Sequence, residues 1–175
     1  FDGDLGLAGL YQAMLRAVRS TAVVMFILAT AKMFAWGITI EKVPELLSHG
    51  LFAVSSEPWV ALLLVLAGLL VLGMFESASA NLVIVTPILV PLAPQLGLDL
   101  VHLGVIVVLS LMIGIITPPV GISLFIVSDI VKIPFERIAR ATAPYVVALV
   151  IALLVVTYLP DIVLWIPKMY GYVPQ

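Results

Sequence analysis

Two polar clusters interrupt long apolar runs in this 175-residue chain, and the first is Glu76-Ser77-Ala78-Ser79-Ala80-Asn81. An acid, two hydroxyls and an amide are costly in lipid, so at membrane depth they must face protein, water or an ion. Oxygen ligands of this kind suit Na⁺ far better than a soft metal. Ser77 or Ser79 is also placed to cap a returning helix. A solvated loop at the membrane surface is the alternative that the sequence leaves open.

The second cluster is Thr117-Pro118-Pro119-Val120-Gly121, which lies with Gly114 inside the apolar run from 100 to 130. Thr is a good N-cap and Pro is favoured at the first helical position, so a second half-helix is predicted to begin at Thr117–Pro118. Carbonyls freed before the break carry partial negative charge, and amides freed after it carry partial positive charge. One break therefore offers a cation site beside an anion site. A proline kink that only bends the helix is the alternative.

Other chemistries have little support in the sequence. The chain has no Cys, no metalloprotease or serine-hydrolase motif and no Gly-rich phosphate loop. His49 and His102 lie on different predicted elements. The net charge is −2 and the basic residues form separate short clusters, which argues against a nucleic-acid partner. We predict that the protein is not an enzyme.

The composition places these clusters in a lipid bilayer. Hydrophobic residues make up 63% of the chain and charged residues 10%, with a mean hydropathy of +1.28. No Lys or Arg occurs between Lys42 and Lys132, so this stretch is expected in or against the membrane. Lys32, inside the first apolar segment, is expected to extend toward the membrane surface. The chain begins at Phe1 without the charged start of a signal peptide, and we expect it to be a piece of a longer polypeptide.

Apolar periodicity predicts an all-α integral membrane fold in three parts. The first part, 1–57, comprises an interfacial arm helix at 5–19, a transmembrane helix at 21–40 and a surface connection. The second, 58–131, comprises a hairpin at about 58–97 and a broken helix at about 100–131. The third, 132–175, comprises an interfacial helix, a transmembrane helix at 143–159 and a tail.

The hairpin is interpreted as re-entrant because each apolar arm is short for a full crossing and its polar tip has no basic residue. The positive-inside rule places Arg16 and Arg19 on the same side as the cluster Lys132, Arg137 and Arg140, which this topology satisfies. Two full spans in place of the hairpin would leave both basic clusters on the same side of the membrane, so charge alone does not separate the two topologies.

Nearly the whole chain resembles the C-terminal half of the DctM-like large membrane subunit of tripartite ATP-independent periplasmic (TRAP) transporters. The resemblance is carried by GMFESASANLVIVTPILVPLAPQLGLDLVHLGVIVVLSLMIGIITPPVGISLF at 73–125, by RSTAVVMFILATAKMFAW upstream and by TYLPDIVLWIP downstream. Its most specific parts are the acidic hairpin tip followed by P-I-L-x-P, the D-x-x-H-x-G segment and I-G-x-x-T-P-P-V-G.

The resemblance implies a sodium-coupled symporter of C4-dicarboxylates, sialic acids or other small organic anions, with an elevator-type fold. The implied partners are the N-terminal half of the same large subunit, a small membrane subunit, a soluble periplasmic binding protein and the lipid bilayer. The implied location is the inner or cell membrane of a bacterium or archaeon, with several crossings. The implied sodium site comprises Gly73, Glu76, Ser77, Gly114 and Thr117. From the two clusters we predict substrate contacts by Ser77, Ser79, Asn81, Thr117, Pro118, Pro119, Val120 and Gly121.

Two positions depart from the family pattern, which usually has Asp where this chain has Glu76 and Asn where it has Ser110. Either change alters an ion ligand or the polar lining. Two alternatives to the tripartite symporter stay open. One is a carrier of the wider ion-transporter group that needs no binding protein, and the other is a membrane scaffold subunit whose breaks are only packing kinks.

Overall fold

The computed structural model describes residues 7–54 and 57–173, and every long regular element in them is an α-helix. Residues 5–6 of the predicted arm helix, 55–56 of the surface connection and 174–175 of the tail lie outside the described residues. The helices are α1 (Leu7–Ile40), α2 (Val43–Val54), α3 (Pro58–Phe75), α4 (Ala78–Leu89), α5 (Leu100–Ile115), α6 (Ile122–Val131), α7 (Phe135–Tyr158) and α8 (Pro160–Met169).

The first helix is continuous, so the prediction of a separate arm helix before the span is wrong. α1 runs for 34 residues, a length of about 51 Å at a rise of about 1.5 Å per residue. Neither Gly nor Pro occurs between Leu10 and Trp36, and no residue there interrupts the backbone ladder after Arg19. The polar arm and the apolar span are therefore two parts of one helix.

Three helices of the described residues are long and apolar enough to cross a membrane: Gly9–Ile40, Pro58–Phe75 and Phe135–Tyr158. α3 has 18 residues, which is about 27 Å and close to the bilayer core. The first hairpin arm therefore has the length of a crossing, and its re-entrant insertion stays a prediction. α7 starts in the basic segment and continues through Pro144, so the predicted interfacial helix and last span are also one helix.

The hairpin consists of α3 and α4, which join at Glu76 and Ser77. α4 extends through Pro87 and is followed by two 3₁₀ turns at Val90–Leu92 and Pro94–Leu96. The prolines limit regular helix here because each lacks an amide hydrogen for the helical ladder. The second arm is therefore a helix of 12 residues that ends in turns.

α3 and α5 form the centre of the fold. Ala61 and Leu69 of α3 belong to the same buried cluster as Leu103 and Leu111 of α5. The end of the hairpin fills the same cluster with Leu92 and neighbouring apolar residues. A second cluster joins Leu66, Ile106 and Ile113 to Leu153 of α7. These contacts fix the hairpin and the broken helix against each other along most of their lengths.

Polar contacts hold the start of α5 to the C-terminal part of the chain. Asp99 caps α5 by accepting hydrogen bonds from the amides of Val101 (2.8 Å) and His102 (3.3 Å). The Nε2 of His102 lies 2.9 Å from the carbonyl oxygen of Val156, which can only accept, so Nε2 carries the hydrogen. The Tyr172 hydroxyl donates to Asp99 Oδ2 at 2.9 Å. The tail is thereby attached to α5.

The tail contact is expected to weaken at high pH. The hydrogen bond to Asp99, with smaller contributions from desolvation and the carboxylate charge, raises the pKa of Tyr172 above its ordinary value of about 10. The contact is fully present below that ordinary value and is lost as the pH rises through the raised value. Spectrophotometric tyrosine titration checks this. The tyrosine that is absent from the titration curve of Tyr172→Phe should be one whose pKa lies above the ordinary range. Asp99→Asn should lower the pKa of Tyr172 toward the ordinary value.

Candidate functional site

The C-terminal ends of α3 and α5 meet at two glycines, Gly73 and Gly114, which both belong to the predicted sodium site. A Cβ atom on Gly73 would lie 2.7 Å from the carbonyl oxygen of Leu111 and 3.1 Å from the Cα of Gly114. A Cβ on Gly114 would lie 2.6 Å from the carbonyl oxygen of Leu70 and 2.7 Å from the Cα of Gly73. The backbones are in direct contact, and only glycine fits at either position.

Two prolines leave carbonyl groups at the end of α5 without helical partners. In a continuous helix the amides of residues 118 and 119 would bond the carbonyls of Gly114 and Ile115, but both residues are Pro and have no amide hydrogen. The Gly114 carbonyl accepts instead from the amide of Thr117 at 2.9 Å. The Ile115 carbonyl receives no hydrogen bond from either proline, which leaves its lone pairs for another ligand.

The break covers six residues, Ile116–Gly121, between α5 and α6. The broken helix predicted at about 100–131 is confirmed, but the prediction that Thr117 and Pro118 begin its second half is wrong. The N-cap of α6 is Gly121, in the left-handed region at φ 52°. A Cβ on Gly121 would also lie 3.1 Å from the carbonyl oxygen of Thr117. The segment Thr117–Val120 is therefore non-helical, and Gly121 turns the chain into α6.

The Thr117 hydroxyl serves the first half-helix rather than the second. Its Oγ1 donates to the carbonyl oxygen of Ile113 at 2.6 Å, which removes it as a cap for α6. A hydroxyl that donates its hydrogen in this way keeps its lone pairs free to accept a hydrogen bond or to bind a cation. Thr117 is half-buried, and its amide donates to the Gly114 carbonyl at 2.9 Å, which places it beside the Gly73–Gly114 contact.

The polar side chains of the hairpin tip have different roles: one serine caps α4, the amide holds α4 to α3, and the other two side chains are exposed. Ser77 is the N-cap of α4, and its Oγ accepts from the amide of Ala80 at 3.4 Å, as predicted for either serine. Asn81 is buried, and its Nδ2 donates to the carbonyl oxygen of Leu72 at 3.0 Å. Glu76 and Ser79 are exposed. Asn81 thus ties α4 back to the end of α3, a structural role that the substrate prediction did not include.

Removing the Asn81 amide is expected to open the tip. Asn81→Leu would remove the donor of the part-buried hydrogen bond to the Leu72 carbonyl, and the loss of such a bond destabilises a protein by about 0.5–1.5 kcal/mol. Asn81→Asp would remove the donor as well. Thermal unfolding of the purified large subunit measures the loss, with the exposed Ser79→Ala as the control that should leave stability unchanged. Equal stability of Asn81→Leu and Ser79→Ala would contradict this role.

Electrostatics at the tip favour a cation. The ends of α3 and α5 each carry partial negative charge from their last carbonyls. Glu76 is the C-cap of α3, where a carboxylate is unfavourable unless a positive charge compensates it. No Lys or Arg lies between 43 and 131 to supply that charge. Within the described residues no cluster of three or more His, Cys, Asp or Glu residues forms a metal site, so carbonyl and hydroxyl oxygens are the available ligands.

Sequence comparison assigns the chain to a family. Residues 1–162 match the family described as the tripartite ATP-independent periplasmic transporter, DctM component. The chain belongs to this family. The resemblance expected from the hairpin tip and the I-G-x-x-T-P-P-V-G segment is therefore confirmed.

Individual TRAP proteins are similar over most of this chain. A C4-dicarboxylate TRAP transporter large permease protein of Pseudomonas aeruginosa is 37% identical over 168 residues, covering 96% of this chain and 39% of that protein. A sialic acid TRAP transporter large permease protein of Vibrio cholerae is 38% identical over 169 residues, covering 96% of this chain and 40% of that protein. The chain thus spans about two fifths of the length of the TRAP permeases it matches.

TRAP membership and the three candidate spans together make the chain part of a multi-pass protein of the cell membrane. Ser110 and Glu76 are the two positions expected to depart from the family pattern. Ser110 is fully buried and donates to the carbonyl oxygen of Ile106 at 2.7 Å. Its hydroxyl hydrogen is therefore used within α5. Glu76 is exposed at the tip, where the longer side chain has room. Sequence patterns alone indicated neither environment.

Proposed function

We propose that this chain is the sodium-binding C-terminal part of a TRAP-type symporter for small organic anions. The observation that carries the proposal is the meeting of two helix C-termini at Gly73 and Gly114, beside Glu76 and without a basic residue. Three sources of negative potential at one place favour a cation. Oxygen ligands alone favour a hard ion such as Na⁺ over a transition metal.

The proposed sodium ligands follow from the geometry of the break and the tip. The carbonyl of Ile115, which Pro118 and Pro119 leave without a helical partner, is one ligand. The lone pairs of Thr117 Oγ1 are a second, and Glu76 supplies the neutralising charge. Gly73 and Gly114 act by letting the two helix ends approach. Of the predicted set, we thus assign Thr117 and Glu76 to the ion and the two glycines to the shape of the site. Ser77 keeps its role as the cap of α4, and the Ile115 carbonyl is added to the set.

The proposed anion site lies next to the cation site. The segment Thr117–Gly121 leads into α6, and the first amides of α6 carry partial positive charge. The exposed Ser79 hydroxyl is a further hydrogen-bond donor on the tip. The Asn81 Nδ2 is used by the Leu72 carbonyl, and its oxygen can only accept, so Asn81 would contact a substrate hydroxyl rather than the carboxylate. A carboxylate held by amides, hydroxyls and Na⁺ needs no arginine from this part of the protein. C4-dicarboxylate and sialic acid, named for the two relatives above, are the substrate classes that we carry over to this chain.

The complete transporter would include parts that this chain lacks. We propose that it combines the remainder of the large subunit, a small membrane subunit and a soluble periplasmic binding protein that delivers the anion. The hairpin and broken helix would move together as an elevator, since their shared core of α3 and α5 forms one packed body. A carrier without a binding protein and a scaffold subunit without transport are the two competing functions.

Uptake into proteoliposomes tests the proposal. The complete large subunit, its small partner and the binding protein are reconstituted with and without an inward sodium gradient, and C4-dicarboxylate and sialic acid are supplied in turn. We expect uptake only with sodium and only with the binding protein. Uptake without sodium would refute the coupling, uptake without the binding protein would favour the simpler carrier, and no uptake of any carboxylate would favour the scaffold.

A further inference from the structure

An apolar groove between α1 and α4 contains a single charged side chain, Lys32. The groove has a volume of about 810 Å³ and is lined by residues such as Leu28 and Ala35 of α1 and Leu82 and Val90 of α4. The only other polar lining residue is Thr86, whose hydroxyl donates to the Leu82 carbonyl at 2.6 Å within its own helix. Lys32 is exposed and has no ion pair among the described residues.

The position of Lys32 along α1 places its charge deep in the membrane. It is the only charged residue between Arg19 and Glu41, a stretch whose length of about 33 Å matches the bilayer core. Its Cα is about 20 Å from Arg19 and about 14 Å from Glu41 along the helix. An unpaired ammonium at such depth is costly. A complementary group must therefore come from another element at the same level.

We propose that a membrane-spanning helix from the rest of the large subunit fills this groove and pairs an Asp or Glu with Lys32. The relatives are longer, since the chain covers only 39% and 40% of them, so helices outside this chain are available. An apolar groove that carries one cation fits an apolar helix that carries one acid. This inference concerns assembly of the large subunit and does not depend on the proposed sodium site.

Two other occupants fit the groove less well. A phospholipid headgroup lies near the ends of the span. Lys32 can extend toward the membrane surface only by about 6 Å, the length of its side chain, so a headgroup about 14 Å from its Cα stays out of reach. A carboxylate substrate with several hydroxyls would bury those hydroxyls against apolar walls without partners. Charge and depth together therefore favour a helix-borne carboxylate.

Photo-cross-linking in the complete large subunit, co-expressed with its small partner, tests the proposal. A benzoylphenylalanine placed at Met25, which lines the groove and is 63% exposed, should cross-link to a peptide of the same polypeptide that precedes this chain and contains Asp or Glu. The same probe at Val147 of α7, outside the groove, is the control and should not give that peptide. Cross-links from Met25 only to lipid or to the small subunit would overturn the proposal.

Charge variants identify the pair. Lys32→Met should lower the yield of that cross-link about tenfold or more, the effect of about 1.4 kcal/mol, whereas Lys32→Arg should retain it. Lys42→Met is the matched control, because Lys42 pairs with the exposed Glu45 at 3.8 Å on the surface and its loss should change nothing. A double variant that carries Lys32→Glu and a lysine in place of the identified acid should restore the yield of the cross-link. Unchanged yield in Lys32→Met, or no recovery in the exchanged pair, would contradict an ion pair.

Discussion

Replacing Gly114 by Ala is expected to separate α3 from α5 and to abolish transport. The added Cβ would lie 2.6 Å from the carbonyl oxygen of Leu70 and 2.7 Å from the Cα of Gly73, and both atoms belong to helix backbone that cannot rotate away. Overpacking of this kind lowers the free energy of unfolding by about 1–3 kcal/mol. The two helix ends would move apart and take the carbonyl groups with them. Thermal unfolding and sodium-dependent uptake of the reconstituted transporter measure the two effects.

Gly104 provides the matched control for this substitution. It lies on the same helix, and a Cβ there would meet no atom within 4 Å. Gly104→Ala should be neutral or slightly stabilising, because Ala is the better helix former by about 1 kcal/mol. Gly73→Ala should reproduce the loss seen in Gly114→Ala from the other side of the contact. If Gly114→Ala is as stable and active as Gly104→Ala, the close backbone contact is not required.

Thr117→Ala is expected to weaken sodium binding while the protein stays folded. The substitution removes the oxygen whose lone pairs we assign to the cation, together with the 2.6 Å hydrogen bond to the Ile113 carbonyl. Loss of one ligand worth about 1.4 kcal/mol would raise the half-saturating sodium concentration about tenfold. Uptake at saturating substrate over a series of sodium concentrations gives this value directly.

Two variants separate sodium binding from local helix stability. Thr117→Ser keeps the hydroxyl and should keep the sodium dependence. Thr142→Ala removes an equivalent hydrogen bond, from Oγ1 to the Ile138 carbonyl at 2.9 Å in α7, and should leave the sodium dependence unchanged. An unaltered sodium response in Thr117→Ala would show that the break in the helix serves packing only.

Local sequence chemistry predicted the main elements that carry the site. Pro118 and Pro119 could not continue a helix, so the break between α5 and α6 followed from residue type alone. The serines after Glu76 predicted the cap of α4, which Ser77 provides. In contrast, the boundary placed between Arg19 and Thr21 was wrong, because a change in polarity does not interrupt backbone hydrogen bonds. Polarity marks where a helix meets water, whereas only backbone geometry ends it.

Contacts between distant residues could not be inferred in the same way. Asn81 looked like a tip ligand, but its partner is the carbonyl of Leu72 nine residues earlier. Tyr172 and Asp99 are 73 residues apart and form a hydrogen bond at 2.9 Å, and no local pattern indicates that they are partners. Thr117 had the residue type of an N-cap and bonds backward to Ile113 instead. Each of these choices depends on which neighbour the folded chain brings within reach.

The sequence by itself determined the membrane class, the family, the hairpin and the interrupted helix, because composition, proline and capping residues act over a few positions. The tertiary structure alone decided that Gly73 and Gly114 touch and that two negative helix ends therefore meet at Glu76. That meeting depends on how α3 packs along α5, through side chains spread over the 40 residues between the two glycines. Packing over such separations is a property of the whole fold, and no short segment encodes it.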